Sequence, residues 1–206
     1  MYVRSKKDLE IILENVKQFS RPKIELEQYI TDSSIVAELV WLSYMRGEIT
    51  DSKILDLGCG TGRFAIASAL LGARLVICLD VDIDAINDAK MNILNLGVDS
   101  IIDLVVADAR HLPFKGSIFD VVFQNPPFGI QSRRGMDIEF LKSAVKAGSR
   151  IYTIHKAETV DYVVRKVQEF ERRVSVIGKR VINIPLMYSH HRKRIHKVEV
   201  VLLYVY

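Results

Sequence analysis

A glycine-rich turn between an apolar strand and a helix constrains the fold of this chain more than any other feature. The apolar run Lys53–Leu57 leads into a turn over residues 58–62, and a helical pattern follows over residues 64–71. Glycines allow the backbone to approach a ligand closely, and the first N–H groups of the helix are unpaired there. A strand, turn and helix in this order predict a nucleotide-binding unit of an α/β protein.

Polar residues stand at the ends of four successive apolar runs. The last three runs cover residues 75–79, 104–107 and 120–123. The polar residues are, in order, Asp56, Asp80, Asp108 and Asn125. An open α/β sheet binds its ligands outside the carboxyl ends of its strands. The pattern therefore predicts one ligand site built from four strand ends.

Further apolar runs complete a predicted seven-stranded sheet. Helical patterns cover residues 7–18, 85–96, 136–147 and 158–170, and strands are predicted over residues 150–154, 173–181 and 198–206. The last strand contains an uninterrupted apolar stretch, residues 200–203, which favours a central position. A hairpin before it reverses one strand, so the sheet is expected to be mostly parallel with helices on both faces.

The glycine turn does not match a nicotinamide-binding fingerprint, because Arg63 stands where a third glycine would be required. Asp56 followed by Gly58, Gly60 and Gly62 resembles instead the first motif of class I S-adenosylmethionine-dependent methyltransferases. The chain is thus expected to have their Rossmann-like fold.

Two of the strand-end acids have a possible cofactor role beside a structural one. Asp80 lies twenty residues after Gly60, where a carboxylate can accept hydrogen bonds from both ribose hydroxyls. It can equally cap the next helix, a role that we assign to Asp82 and Asp84. Asp108 can accept the amino hydrogens of the cofactor's adenine, and the alternative is a solvated loop aspartate.

The tetrapeptide Asn125-Pro126-Pro127-Phe128 suits the methylation of a planar amino group. Such an amine is a poor nucleophile, and the Asn125 side chain and the Pro126 carbonyl can each accept one of its hydrogens. Phe128 offers an aromatic face for stacking a base. The alternative interpretation is a rigid turn, because Asn-Pro and Pro-Pro pairs are common in loops.

Several motifs together resemble the family of small-subunit ribosomal RNA adenine-N6 methyltransferases. They are residues 26–31, 56–62, 125–129, 135–137 and 154–156, with a basic stretch near the C-terminus. The resemblance implies one S-adenosylmethionine-dependent methyltransferase domain over residues 1–206, in which the helices of residues 1–50 close the cofactor pocket. It also implies a possible small zinc-binding activator subunit, which extends the sheet through an exposed strand and forms a heterodimer.

The resemblance assigns roles to individual residues. The catalytic set is Asn125, Pro126, Pro127 and Phe128, and the cofactor-binding set is Gln28, Thr31, Asp56, Gly58, Gly60, Thr61, Gly62, Arg63, Asp80 and Asp108. Gln28 and Thr31 are expected near the methionine part of S-adenosylmethionine. Arg63 can pair with the methionine carboxylate, or with Asp82 or Asp84.

Positive charge is clustered in a chain whose formal net charge is only +4. The residues expected to meet RNA phosphates are Arg133, Arg134, Arg192, Lys193, Arg194 and Lys197. For the C-terminal group the alternative is a solvated loop whose charges protect a strand edge.

The chain carries no sign of a metal site, a disulfide or a membrane segment. The histidines of the basic stretch lack a matching cluster of cysteines or carboxylates, so no metal is expected. Cys59 and Cys78 are predicted to be reduced thiols of a cytoplasmic protein. Residues 1–8 lack the apolar core of a signal peptide.

The predicted activity is methyl transfer from S-adenosylmethionine to adenine N6 in small-subunit ribosomal RNA, with S-adenosylhomocysteine as the product. Guanine-N2 methylation of ribosomal RNA and glutamine methylation of release factors use a similar tetrapeptide and remain alternatives. A non-catalytic cofactor- and RNA-binding scaffold is a third, which the intact tetrapeptide disfavours. Identification of the labelled product would distinguish these alternatives.

Overall fold

The computed structural model describes residues 3–129, 132–185 and 195–206. These residues form six α-helices and seven β-strands. The helices are α1 (Lys6–Glu14), α2 (Ser33–Met45), α3 (Arg63–Leu70), α4 (Ile83–Leu96), α5 (Met136–Ala147) and α6 (Val160–Glu169). The strands are β1 (Lys53–Leu57), β2 (Leu75–Asp80), β3 (Ile102–Val106), β4 (Phe119–Gln124), β5 (Gly148–Lys156), β6 (Val174–Pro185) and β7 (Ile195–Val205).

The strands form one sheet in the order β3-β2-β1-β4-β5-β7-β6. Strands β1 to β5 pair in parallel, and β7 runs antiparallel to both of its neighbours. The predicted mostly parallel sheet with one reversed strand is confirmed, as is the central position of the last strand. The strand order reverses between β1 and β4, which is where such sheets bind ligands.

Successive residues along the buried strands pack on opposite faces of the sheet. In β1, Ile54 packs with α1 to α4 on one face, whereas Leu55 packs with α5 and α6 on the other. Each fully buried large aliphatic side chain contributes about 1.5–3 kcal/mol to stability. Helices thus cover both faces of the sheet, and the polar residues at the carboxyl ends of the parallel strands lie at the same end of the sheet.

Some predicted element boundaries were wrong. Helix α1 ends at Glu14 and not near residue 18, with Asn15 as its C-cap. Strands β6 and β7 are longer than predicted because their pairing continues to Pro185 and Ile195, beyond the apolar run. No helix within the described ranges is long and apolar enough to cross a membrane.

The prediction of two reduced thiols was also wrong. Cys59 and Cys78 form a disulfide, with their Cα atoms 5.4 Å apart. Their sequence separation is 19, but the parallel pairing of β1 with β2 places Asp56 opposite Cys78. The disulfide therefore ties the glycine turn, which begins directly after β1, to the neighbouring strand.

Candidate active site

A cavity of about 240 Å³ opens at the carboxyl ends of β1, β2 and β4. Most of the residues predicted to bind a ligand line it together, namely Gln28, Thr31, Gly58, Gly60, Thr61, Arg63, Asp80, Asp108, Asn125, Pro127 and Arg133. Asp56, Gly62, Pro126, Phe128 and Arg134 are not among the lining residues. The strand ends therefore converge on one cavity, as the sequence predicts.

Two buried aspartate side chains hold the glycine turn and the start of α3 in place. Asp56 Oδ2 accepts a hydrogen bond from Ala65 N at 2.8 Å, and Asp80 Oδ2 accepts one from Gly60 N at 2.9 Å. Burial raises the pKa of Asp56 to about 8 and also raises the pKa of Asp80. Asp56 supports the turn from within the core, whereas Asp80 also faces the cavity.

The glycines of the turn are required by both conformation and space. Gly58 and Gly60 have positive φ values of 72° and 53°. A Cβ atom on Gly58 would lie 2.9 Å from the Phe140 ring, and one on Gly60 would lie 2.8 Å from the Phe19 ring. These two aromatic side chains line the same cavity and were not predicted from the sequence.

Asp82 caps α4, as predicted, and also orients Gln28. Its carboxylate accepts hydrogen bonds from Asp84 N and from Gln28 Nε2, the latter at 2.8 Å. Lys23 forms ion pairs with Asp82 and Asp84. Asp82 and Asp84, the two acids that the sequence offered as partners for Arg63, are thus paired with Lys23 instead.

Arg63 is buried beside the cavity, and burial lowers its pKa. Its Nη1 donates to the backbone carbonyl of Thr31 at 2.6 Å. Its Nε has no partner among the residues that the structure describes. A buried guanidinium with an unused donor at the cavity wall is suited to bind an anionic group of a ligand.

Asn125 presents an unpaired acceptor. Its Nδ2 donates to Thr31 Oγ1 at 3.0 Å, which fixes the orientation of the amide. Its Oδ1 is buried and has no partner within the described part of the chain. A buried acceptor of this kind normally has a hydrogen-bond partner, so a ligand donor is expected there.

Tyr29 lies against the catalytic tetrapeptide and was missed in the sequence assignment. Its ring centroid is 5.8 Å from that of Phe128, and its buried hydroxyl lies beside the side chain of Asn125. Burial raises the pKa of Tyr29 well above its usual value, so the hydroxyl stays protonated. The only signal in the sequence was its place between Gln28 and Thr31.

Glu27 fixes the backbone of the catalytic tetrapeptide, and it too was missed. Its Oε2 accepts from Phe128 N at 2.6 Å, and its Oε1 accepts from Ser132 N at 2.8 Å and from Ser132 Oγ at 2.9 Å. Glu27 has a left-handed conformation with φ 52°. The contacts span about a hundred residues of sequence, so local patterns gave no indication of them.

Residues 27–31, which we call the strap, alternate in direction. Glu27, Tyr29 and Thr31 contact the loop between β4 and α5, which carries the tetrapeptide and which we call the catalytic loop, whereas Gln28 reaches Asp82 at the start of α4. The strap therefore connects the glycine-turn side of the cavity to the tetrapeptide side.

Asp108 lines the cavity but is already engaged by Arg110. Arg110 Nε lies 2.9 Å from Asp108 Oδ1 and 3.0 Å from Oδ2, and this guanidinium holds the pKa of Asp108 below its usual value. Arg110 was not predicted as a site residue. A ligand amine would have to share the Asp108 carboxylate with it.

A chain of buried polar side chains lies behind the tetrapeptide. Gln124 Nε2 donates to Thr153 Oγ1 at 3.0 Å, and Thr153 Oγ1 lies 2.9 Å from His155 Nε2. His155 Nδ1 is 3.3 Å from Asp137 Oδ2, in the first turn of α5. The chain links the end of β4 to the helix that follows the catalytic loop.

The residues predicted to meet RNA are placed unevenly. Arg133 lines the cavity and pairs with Glu139 at 2.7 Å, while Arg134 and Lys197 are exposed. Arg192, Lys193 and Arg194 lie outside the described residues. Within the described residues, no group of three or more His, Cys, Asp or Glu side chains is arranged to hold a metal ion.

Comparison with known proteins identifies the family of this chain. Residues 54–148 match the family model described as a methyltransferase domain. The chain is 36% identical over 197 residues to the rRNA N(6)-adenosine-methyltransferase Mettl5 of Drosophila melanogaster, covering 93% of this chain and 92% of that protein. It is 32% identical to the rRNA N(6)-adenosine-methyltransferase METTL5 of Danio rerio, covering 94% of this chain and 95% of that protein.

A solved structure shares the whole architecture. The crystal structure of a candidate RNA methyltransferase from Pyrococcus horikoshii superposes with a TM-score of 0.85 at 32% identity, covering 100% of this chain and 98% of that one. The fold, the converging strand ends and these relatives agree. The chain is a class I methyltransferase and belongs to the METTL5 family of rRNA N6-adenosine methyltransferases.

Proposed function

We propose that this protein transfers a methyl group from S-adenosylmethionine to the N6 amino group of an adenine in small-subunit ribosomal RNA. The observation that carries the proposal is the buried, unpaired Oδ1 of Asn125, held in one orientation by Thr31. An acceptor at this position can hold one hydrogen of a planar amine. The relatives named as rRNA N6-adenosine methyltransferases support adenine as the base.

The chemistry of the site follows from its acceptors. Asn125 Oδ1 would accept one hydrogen of the adenine amine, and the Pro126 carbonyl would accept the other. With both hydrogens held, the nitrogen lone pair can turn toward the methyl group as its delocalisation into the ring is lost. The proton leaves to water after the N–C bond has formed, so Asn125 orients the amine and need not act as a base.

S-adenosylmethionine would bind in this cavity; it supplies a methyl group on a cationic sulfur and leaves as S-adenosylhomocysteine. Asp80 would accept from the ribose hydroxyls, and the free Arg63 Nε would donate to the methionine carboxylate. Gln28 and Thr31 line the same side. The glycine turn lets the backbone approach the ligand closely.

The remaining predicted residues have supporting roles in this proposal. Asp56 and Gly62 would shape the turn, and Gly58, Gly60 and Thr61 would line the cofactor. Asp108 would contact the cofactor's adenine while it stays paired with Arg110. Pro127 would stiffen the loop and Phe128 would stack the target base after Tyr29 moves from its ring. We also propose one domain over residues 1–206, in which residues 1–50 close the cavity.

RNA binding and a partner subunit complete the proposal. Arg133, Arg134 and Lys197, together with Arg192, Lys193 and Arg194, would neutralise RNA phosphates. Strand β3 is an edge strand, and Val106 on it is 51% exposed. A zinc-binding activator subunit would add a strand to this edge, since an unpaired edge offers backbone donors and acceptors to a partner.

The test is methylation of small-subunit ribosomal RNA with isotopically labelled S-adenosylmethionine, followed by digestion and identification of the labelled nucleoside. We expect label on N6-methyladenosine with the wild-type protein and none with Asn125→Ala. Label on N2-methylguanosine, or on a release-factor glutamine in a parallel reaction, would contradict the adenine assignment. The reaction is run with and without a candidate activator.

A further inference from the structure

A second cavity, of about 840 Å³, lies beside the candidate active site. It runs between α5 and the loop of residues 110–116, and we call it the α5 groove. Its charged and titratable lining residues are Arg110, His111, Arg133, Glu139, Lys142 and Lys146. Four arginine or lysine side chains thus face one carboxylate, in a chain whose net charge is only +4.

The α5 groove is continuous with the active-site cavity. Arg110 and Arg133 line both, so a polymer that leaves the cavity on this side enters the groove directly. A target base buried in the cavity remains attached to a strand that must continue across the surface. The α5 groove is a surface along which that strand can bind.

The positive charges of the groove fall into two groups. Arg110 and Arg133 are paired with Asp108 and Glu139. Lys142 and Lys146 are exposed, and neither is in an ion pair among the described residues. They lie one helical turn apart on α5, where side chains are neighbours with Cβ atoms about 5–6 Å apart.

The apolar lining residues favour a nucleic acid strand over a small anion. Leu112 and Phe114 line the groove together with the charged residues, and both are half-buried. Phe114 is held edge-on against Phe119, with ring centroids 5.2 Å apart. The charged side chains can meet phosphates, and the apolar side chains can contact ribose or a base.

We propose that the α5 groove binds the RNA strand adjoining the target adenine, with Lys142 and Lys146 contacting its phosphates. This inference deepens the proposed function and rests on it. Each phosphate contact releases counterions, so the groove contributes to the salt dependence of RNA binding. Neither lysine contacts the cofactor cavity, so they act on RNA binding and not on methyl transfer.

The test compares two charge-matched double variants on the same small-subunit ribosomal RNA transcript. Lys142→Gln/Lys146→Gln removes two charges from the groove. Lys6→Gln/Lys90→Gln removes two from exposed lysines of α1 and α4, which pack on the opposite face of the sheet. We expect the groove variant to weaken RNA binding roughly tenfold and to lower the slope of log K against log salt by about 1–2.

Two further readouts distinguish the groove from the active site. S-adenosylmethionine affinity and kcat should remain at the wild-type level in both variants, and Lys142→Arg/Lys146→Arg should restore RNA binding. If the groove and control variants have the same RNA affinity and the same salt slope, while the wild-type protein methylates the RNA, the proposed role of the groove is wrong. Failure of the wild-type protein to methylate any ribosomal RNA would instead overturn the proposed function.

Discussion

Two loops meet at the candidate active site, and they are held in different ways. The glycine turn is fixed from within its own part of the sheet, by Asp56, Asp80 and the disulfide between Cys59 and Cys78. The catalytic loop is fixed from outside the sheet by Glu27 and Thr31 of the strap. Under the proposed function, the cofactor surface is therefore built into the fold, whereas the geometry of the tetrapeptide depends on the strap that is docked onto it.

This difference suits the two ligands. A cofactor can bind a surface that is already shaped, but a base that stacks on Phe128 needs access to a ring that Tyr29 contacts. A segment held by a few side-chain contacts can move at less cost than a turn anchored in the core. We therefore expect changes in the strap to act on catalysis, and changes beneath the glycine turn to act on cofactor binding and stability.

The largest effect should come from Asn125→Ala. Removing the oriented acceptor should lower kcat by about 10²–10³-fold, the loss typical of one preorganised hydrogen-bonding group. Asn95→Ala, on the exposed side of α4, is the control. Single-turnover methyl transfer gives the rate, and a rate within twofold of wild type would show that Asn125 does not orient the amine.

The next test is Glu27→Gln in the strap. Phe128 N and Ser132 N donate to different oxygens of Glu27, and glutamine has only one acceptor oxygen. The loss of one charge-assisted hydrogen bond should lower kcat about tenfold or more while cofactor affinity stays unchanged. Glu25→Gln, an exposed residue that lines the same cavity, is the control.

An equal fall in kcat for Glu25→Gln and Glu27→Gln would contradict the role of the strap. So would a loss of cofactor affinity in Glu27→Gln as large as its loss in kcat. Isothermal titration with S-adenosylhomocysteine supplies the affinity.

Asp80→Asn, in contrast to Glu27→Gln, should lower cofactor affinity more than kcat. The Asp80 oxygens accept from Gly60 N and Asp82 N, and asparagine can keep only one of these bonds. We expect cofactor binding to weaken about tenfold, with a smaller change in kcat at saturating cofactor. Asp99→Asn, an exposed acid, is the control. Unchanged cofactor affinity would remove Asp80 from the cofactor set.

Reduction of the disulfide should affect stability more than activity. The bond joins Cys59 to Cys78, whose sequence separation is 19, and losing it should cost about 3 kcal/mol of unfolding free energy. Thermal unfolding with and without a reductant measures the effect. Cys78→Ser should be insensitive to the reductant, and a wild-type protein that is equally insensitive would show that the thiols are free.

The last prediction concerns the pH dependence of stability that Asp56 confers. Burial raises its pKa to about 8, whereas an Asp in the unfolded chain has a pKa of ~3.9. The native state therefore keeps a proton that the unfolded state loses, and stability should fall as the pH rises from ~4 to ~8. Asp56→Asn should flatten this fall in urea unfolding. Identical pH profiles for the two proteins would contradict the shift.

Local sequence patterns predicted the glycine turn better than the catalytic loop's support. Asp56, Asp80 and Asn125 could be located because each stands at the end of its own strand, and the fold brings parallel strand ends together. The contacts of Glu27 and Tyr29 join residues about a hundred positions apart. The Cys59–Cys78 bond likewise depends on strand pairing, which spacing alone does not reveal.

The most direct test of the account is a structure of the protein with S-adenosylhomocysteine and an RNA that contains the target adenine. The account predicts that Asn125 Oδ1 lies about 3 Å from adenine N6, with Thr31 still bonded to Asn125 Nδ2. It also predicts that the base stacks on Phe128 and displaces the Tyr29 ring. An adenine amine bound to other acceptors, with Asn125 Oδ1 still unpaired, would contradict it.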